Sequence, residues 1–550
     1  MGFDSSDQGV KRLICDLFPR ATYRNYNVKA ALAQMAAQYD STILILDGNC
    51  KGMGVRGAVR TLDEYVGAMV EVTRRAMSAA RIVVLCFDVP ALVPPTKRET
   101  QARRDARATG AGPGGRPGYP TDATFDVAAL AALPDCHPLV ENREMRYRLF
   151  DEVFGRVLLQ VRQDAAHSRA AGREEGVLVL DGIDLRGASR RPDMPRRPGV
   201  HGTNADIVAV LDAATRTEGE ADVHTLTVEA RFRAGAELGQ LHVSAIVHET
   251  VDTDAFAIAL RHHADRVNRK GAGEAAIHSY LAMSESSKYA AQQLALCMGA
   301  DEGSSGFLII DVDTLYVEVM TLLAGPSWRE AIPGPTARVA LVQSLVAVWA
   351  LGGCDFVDRI GNADLLTRAF TQCVRGMQTS ERWSEGLKPW FTSNDAQLAL
   401  PAFRRIVQVA ADDPKAARVR ARLLGGGDAS YLRAAWTSAY WGGVEQHAFG
   451  TTPRGNGKVL TDFYGDDPPD VSLPVVGRPY DYSQWGFAGV PDGSLVLEAP
   501  KRPRDDEPPA PSDDEEEGAP SDEEMGEAYD SENSDDLLIM DGDDYPTTGS

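Results

Sequence analysis

The chain has 550 residues, 43% hydrophobic and 25% charged, an ordinary globular composition with material for roughly two or three domains. Its formal charge of −22 is concentrated at one end. Of 79 acidic residues, 19 lie in 505–550, where there is no Lys or Arg, so residues 1–504 carry 60 acids against 57 bases. The body is nearly neutral, and the overall acidity excludes no nucleic-acid partner. The seven cysteines (15, 50, 86, 136, 297, 354, 373) are scattered without a C-x-x-C pair, which argues for reduced, buried thiols in an intracellular protein rather than disulfides or zinc. The longest apolar run, 339–354, contains Gln343 and Ser344 and is too short to cross a bilayer, so no membrane association is expected.

The first buried strand is expected at "STILILDG" (41–48), followed by a helix over "TLDEYVGAMVEVTRRAMSAA" (61–80) and a second strand at "RIVVLCFD" (81–88). "GAGPGGRPGYP" (110–120) reads as a flexible loop, and "ENREMRYRLFDEVFGRVLLQVRQ" (141–163) as a helix. A third strand, "GVLVLDG" (176–182), leads into a basic loop at 186–204; further strands fit "LHVSAIVHETVDTD" (241–254) and "GFLIIDVDTL" (306–315). Short apolar runs separated by helices predict an α/β fold with a mainly parallel sheet flanked by helices. An apolar helix at 336–349 follows, then a helical, Trp- and Tyr-containing region from about 390 to 445. Pro- and Gly-rich chain begins near 450, and an acidic tail expected to be disordered begins at 491. The division is therefore 1–385, with flexible insertions near 108–140 and 186–205, then 386–490 and 491–550.

Acidic residues recur at the strand ends: Asp47 after "ILIL", Asp88 after "VVLCF", and Asp252 with Asp254 after "VSAIVHETV". Ligands of open α/β sheets bind at this edge. Asp252 and Asp254 share a face if the chain is extended, while Asp355 and Asp358, in "ALGGCDFVDRIGN", are neighbours if it is helical. Glu220 and Asp222, in "GEAD", converge if they straddle the start of a helix. A strand-ending aspartate is ordinarily a turn former or helix cap. As a set, however, these eight carboxylates would repel one another unless cations joined them. Mg²⁺ or Mn²⁺ takes oxygen ligands, and two such ions can drive in-line displacement at a phosphodiester.

The ordered motifs resemble the flap endonuclease and 5′-nuclease family of PIN-like nucleases. "LILDGNC", "CFDVPALVPPTKRETQARRDAR", "GEAD", "ETVDTDAFAIAL" and "FLIIDVDTLYVEV…LGGCDFVD" are similar to its successive acidic motifs, over about residues 1–370. The resemblance implies a PIN-like nuclease domain over 1–385 that cleaves DNA or RNA, near a 5′ end or flap, by an endonucleolytic or 5′–3′ exonucleolytic route. Two Mg²⁺ or Mn²⁺ ions would be held by Asp47, Asp88, Glu220, Asp222, Asp252, Asp254, Asp355 and Asp358. Lys97, Arg103 and Arg104 fall where the family's basic arch meets the scissile phosphate. The family's glycine-rich duplex-gripping hairpin is reduced here to "RIGNADLLTRAF", which leaves RNA open beside DNA. Asp181, in "LVLDGID", has no counterpart and reads as a turn residue.

Two rivals have specific sequence support. "FLIIDVDTLY" fits a haloacid-dehalogenase-type phosphatase strand, but Leu315 stands where Thr or Val is wanted. A non-catalytic nuclease-like scaffold for nucleic acid or protein is the other. "PKRPRDD" (500–506) is compatible with nuclear import. "LLIM" (537–540), flanked by acids, could dock a protein partner.

Overall fold

A computed structural model describes residues 14–25, 41–55, 59–89, 143–170, 176–186, 197–212, 219–250, 252–269, 277–284, 307–332, 335–354, 356–378 and 396–427, with scattered positions in 133–140 and 430–441. Eight strands, β1 (Thr22–Asn25), β2 (Thr42–Asp47), β3 (Ile82–Cys86), β4 (Val177–Ile183), β5 (Gly199–Gly202), β6 (Ala245–Thr250), β7 (His278–Ser284) and β8 (Phe307–Asp311), form one mixed sheet. Their order is β1-β8-β7-β6-β2-β3-β4-β5. The five central strands from β7 to β4 are parallel, and the antiparallel pairings lie towards the two edges. The expected α/β architecture holds.

Helices cover both faces, which is why the central strands are apolar at successive positions. On one face Leu44, Leu46, Val83, Leu85, Leu178 and Leu180 pack against α2 (Leu62–Ala79) and α3 (Arg143–Ala170). On the other, Ile43, Ile45, Val84, Val179 and Ile246 meet α4 (Ala205–Asp212) and α5 (Ala221–Glu237). Farther along this second face, Leu281, Met283, Leu308 and Ile310 join a larger core. It is built with α6 (Asp254–Arg269), α7 (Val312–Ala324), α8 (Trp328–Ala331), α9 (Pro335–Ala350) and α10 (Ala363–Gln378). Phe403, Ile406 and Val407 of α11 (Ala396–Asp412) and Leu423 of α12 (Arg420–Leu424) belong to that same core. Each such side chain contributes about 1.5–3 kcal/mol on burial. None of the described helices is long and apolar enough to cross a membrane.

Local signals set several boundaries. Thr61 and Glu64 form a capping box at the start of α2, closing two of its open backbone donors. Helix α9 stops at Ala350, and Gly353 follows with φ of 100°, a left-handed conformation open to glycine at little cost. Asp358 consequently lies in the turn between α9 and α10, not on a helix, which corrects the expected helical pairing with Asp355. The 241–254 strand is shorter than expected: β6 ends at Thr250 and Asp254 already opens α6, so extended-chain alternation does not align Asp252 with Asp254. Strand β8 is antiparallel to β7, against the parallel direction expected for it. Part of the expected basic loop pairs with β4 as β5.

Candidate functional site

Chain order reverses between β2 and β6: β3 and β4 lie on one side of β2, while β6 and β7 lie on the other. Such a switch point opens a crevice beyond the strand ends. Asp47 is the last residue of β2, Asp88 lies two residues past β3, and Asp252 lies two residues past β6. Helix α5 enters the crevice with Glu220 at its N-cap position and Asp222 in its first turn.

The first new helix, α1 (Gly48–Val55), starts directly after Asp47. It lies so close to the aromatic cluster of Phe87, Phe150 and Phe154 that a Cβ on Gly48 would stand 2.5 Å from the Phe87 ring, and one on Gly52 2.5 Å from Phe150. The glycines of "DGNCKG" therefore seat the helix and fix the position of Asp47. Asp47 Oδ1 accepts the backbone N–H groups of Asn49 and Cys50 at 2.8 and 3.1 Å. Asp88 Oδ1 accepts the Ala221 N–H at 2.8 Å, across the crevice, and Asp252 Oδ1 accepts the Asp254 N–H at 3.2 Å. Three strand-end aspartates thus each engage the N-terminus of a helix. Those partial positive charges offset some of the carboxylate repulsion. The ordinary capping role and a clustered site coexist.

The remaining repulsion is visible in the titration of the edge. Burial, followed by the negative charge of Asp88, pushes Asp47 up to about 6 from the ordinary 3.8. Burial likewise pushes the Cys50 thiol well up, with Asp47, Asp222 and Asp252 adding to the effect. Asp47, Asp222 and Asp252 therefore share one electrostatic environment around Cys50, and Asp88 couples to it through Asp47. Glu220 and Asp254 are buried at the same helix starts, whereas Asp358 is exposed. No contact joins Asp358 to the cluster among the described residues. Asp355, Lys97, Arg103 and Arg104 lie outside the described residues. All these carboxylate donors are hard oxygens, suited to a divalent cation. Yet among the described residues no group of three or more His, Cys, Asp or Glu is gathered closely enough to hold a metal ion. The edge supplies donors and charge without a finished ion cage.

Three buried polar pairs beneath this edge escaped the sequence reading. Lys51, on α1, places Nζ 2.9 Å from Glu249 Oε1, with both side chains almost fully buried. Asp181 is not a turn residue: it lies in β4 and its Oδ2 meets His224 Nε2 at 2.6 Å. Glu229 Oε2 meets His248 Nε2 at 2.5 Å, while its Oε1 accepts from Arg233 Nε and Ser279 Oγ at 2.7 and 2.6 Å. The only available signal was polar residues inside apolar runs, such as "HE" in "SAIVHET". The phosphatase-like "DVD" has structural work instead. Asp311 caps α7 through Thr314, and Asp313 faces His263 and Arg266. The chain matches no known family model and no curated protein.

Proposed function

We propose that the chain is a PIN-like, metal-dependent nuclease of the flap endonuclease type, acting on phosphodiester bonds in DNA or RNA. One observation carries the reading: Asp47, Asp88, Asp222 and Asp252 converge on a single crevice at the switch point of the sheet, with Asp47 pushed up to about 6. Clustered, partly desolvated carboxylates are a natural host for Mg²⁺ or Mn²⁺. Asp47, Asp88, Glu220, Asp222, Asp252 and Asp254 would hold the two ions, with Asp355 and Asp358 as further donors in the same proposal. When bound, the ions would activate water and stabilise the attacking and leaving oxygens of the displacement. The chain's own part is to fix the carboxylates: α1 and α6 orient Asp47 and Asp252, and α5 orients Asp88 through the Ala221 N–H. Lys97, Arg103 and Arg104 would offset charge on the scissile phosphate.

Cleavage of a 5′-flap DNA and a single-stranded RNA, with Mg²⁺ and with EDTA, tests the reading. We expect metal-dependent cleavage of at least one substrate, lost in Asp252→Ala while nucleic-acid binding persists. Wild-type cleavage by that variant, or cleavage undiminished by EDTA, overturns it. The helix contacts made by Asp47, Asp88 and Asp252 favour a second reading, a nuclease-like binding scaffold whose acids are structural. Binding without cleavage under every divalent ion supports that alternative.

A further inference from the structure

Beneath Asp47 the polar chemistry continues into the body of the protein. His248 stands opposite Ile45 on β2, and Asp47 lies two residues farther along the same strand face. On α5, Asp222, Thr225 and Glu229 follow one another at helical spacing towards the same interior. Between these elements is a cavity about the size of one water, lined by Asp47, Asp222, Thr225, His248, Glu249 and Thr250 together with apolar side chains. His248 is 3% exposed and its Nδ1 has no hydrogen-bonding partner among the described residues. Its other nitrogen is committed to Glu229 at 2.5 Å. Burial pulls Glu229 up, but Arg233 and His248 together hold it well below the usual carboxylate range, so it accepts and Nε2 carries the proton. In neutral imidazole that assignment leaves Nδ1 as an acceptor.

A buried ring nitrogen without a partner, on a residue that lines a water-sized polar cavity, calls for one. We propose that the cavity binds one ordered water, which donates to His248 Nδ1 and to a carboxylate of the edge above it, Asp47 or Asp222. Thr250 Oγ1, which already accepts the Asp252 N–H at 3.1 Å, has a hydroxyl proton to give the water oxygen. That would bring the water to about three hydrogen bonds, the usual number for an internal site. The result is a relay from Arg233 and Ser279 through Glu229, His248 and the water to the acidic edge. His248 is then a positioning residue, orienting the edge carboxylates without touching substrate. The water site stands independently of any catalysis, and only its kinetic consequence rests on the nuclease reading.

Two measurements on the full chain test this. A high-resolution crystal structure should show one peak within hydrogen-bonding distance of Nδ1 and of Asp47 or Asp222. The ¹⁵N imidazole signals of His248 should show a protonated Nε2 and an unprotonated, hydrogen-bonded Nδ1. An empty cavity or a proton on Nδ1 overturns the proposal even if the chain cleaves nucleic acid. His248→Gln keeps a donor to Glu229 and carries its acceptor away from the Nδ1 position, whereas His248→Asn keeps an acceptor near Nδ1. At saturating Mg²⁺ we expect kcat to fall about 10–100-fold in the Gln variant, with KM little changed and partial recovery in Asn. Equal wild-type rates in both folded variants overturn the positioning role. If no substrate is cleaved at all, the nuclease reading fails while the water peak and the tautomer still decide the proposal.

Discussion

The N-terminus and the middle of α5 handle charge in opposite ways. At its N-terminus, acids from three strand ends face one another, and Asp47 is raised by burial and by Asp88. Two turns on, Glu229 is equally buried, but Arg233, His248 and Ser279 enclose it and its carboxyl is held well below the usual range. The same residue class in the same helix–sheet interface is therefore satisfied in the interior and frustrated at the edge. Matched charge is what a fold needs for itself. Carboxylates facing carboxylates are relieved by helix N-termini, by holding a proton, or by a cation.

The largest effect that would break this contrast is expected in the interior. Arg233→Met leaves Glu229 buried without its guanidinium and should cost about 3–5 kcal/mol, measured by urea denaturation. Lys51→Met should cost a similar amount by stranding Glu249, and the double variant Lys51→Met/Glu249→Leu should recover most of it. A double variant no more stable than the single one would show that the pair's packing, not its charge, matters.

A smaller effect, of opposite sign, is expected at the edge. Because the folded-state pKa of Asp47 lies above its ordinary 3.8, its contribution is fully present below about pH 4 and lost as pH rises through about 6. In EDTA, Asp47→Asn should therefore gain stability relative to wild type between pH 4 and 7, by roughly 2–3 kcal/mol. A difference that is flat with pH would remove the claim of frustration. The smallest effect is the ion's own. At pH 7, Mg²⁺ at about tenfold over its Kd should stabilise wild type by about 1.4 kcal/mol, and Asp47→Asn by less. Equal stabilisation of the two would place cation binding elsewhere.

Much of the sheet was legible in sequence because its central strands are unambiguous. "TILILD", "IVVLC" and "VLVLDGI" are apolar on both faces. The inner strand His278–Ser284 and the two outermost strands were not legible. Thr22–Asn25 is short and polar, and Gly199–Gly202 sits in a basic, Pro-rich stretch; each becomes a strand through the partner that hydrogen-bonds it. The run "FLIID" announced a strand without revealing its antiparallel direction, because local apolarity carries no direction.

For the site, the chain by itself determined which acids end strands or begin helices: Asp47, Asp88, Glu220, Asp222, Asp252 and Asp254. A strand followed at once by a helix leaves its last residue at the sheet edge, whatever the rest of the protein does. Tertiary structure alone decided which of these acids share a charge environment, that Asp358 is exposed in a turn, and which acids have internal partners. Lys51 meets Glu249 across 198 positions, Asp181 meets His224 across 43, and Glu229 meets Ser279 across 50. Electrostatic energy depends on distance in space, and only the folded sheet sets those distances.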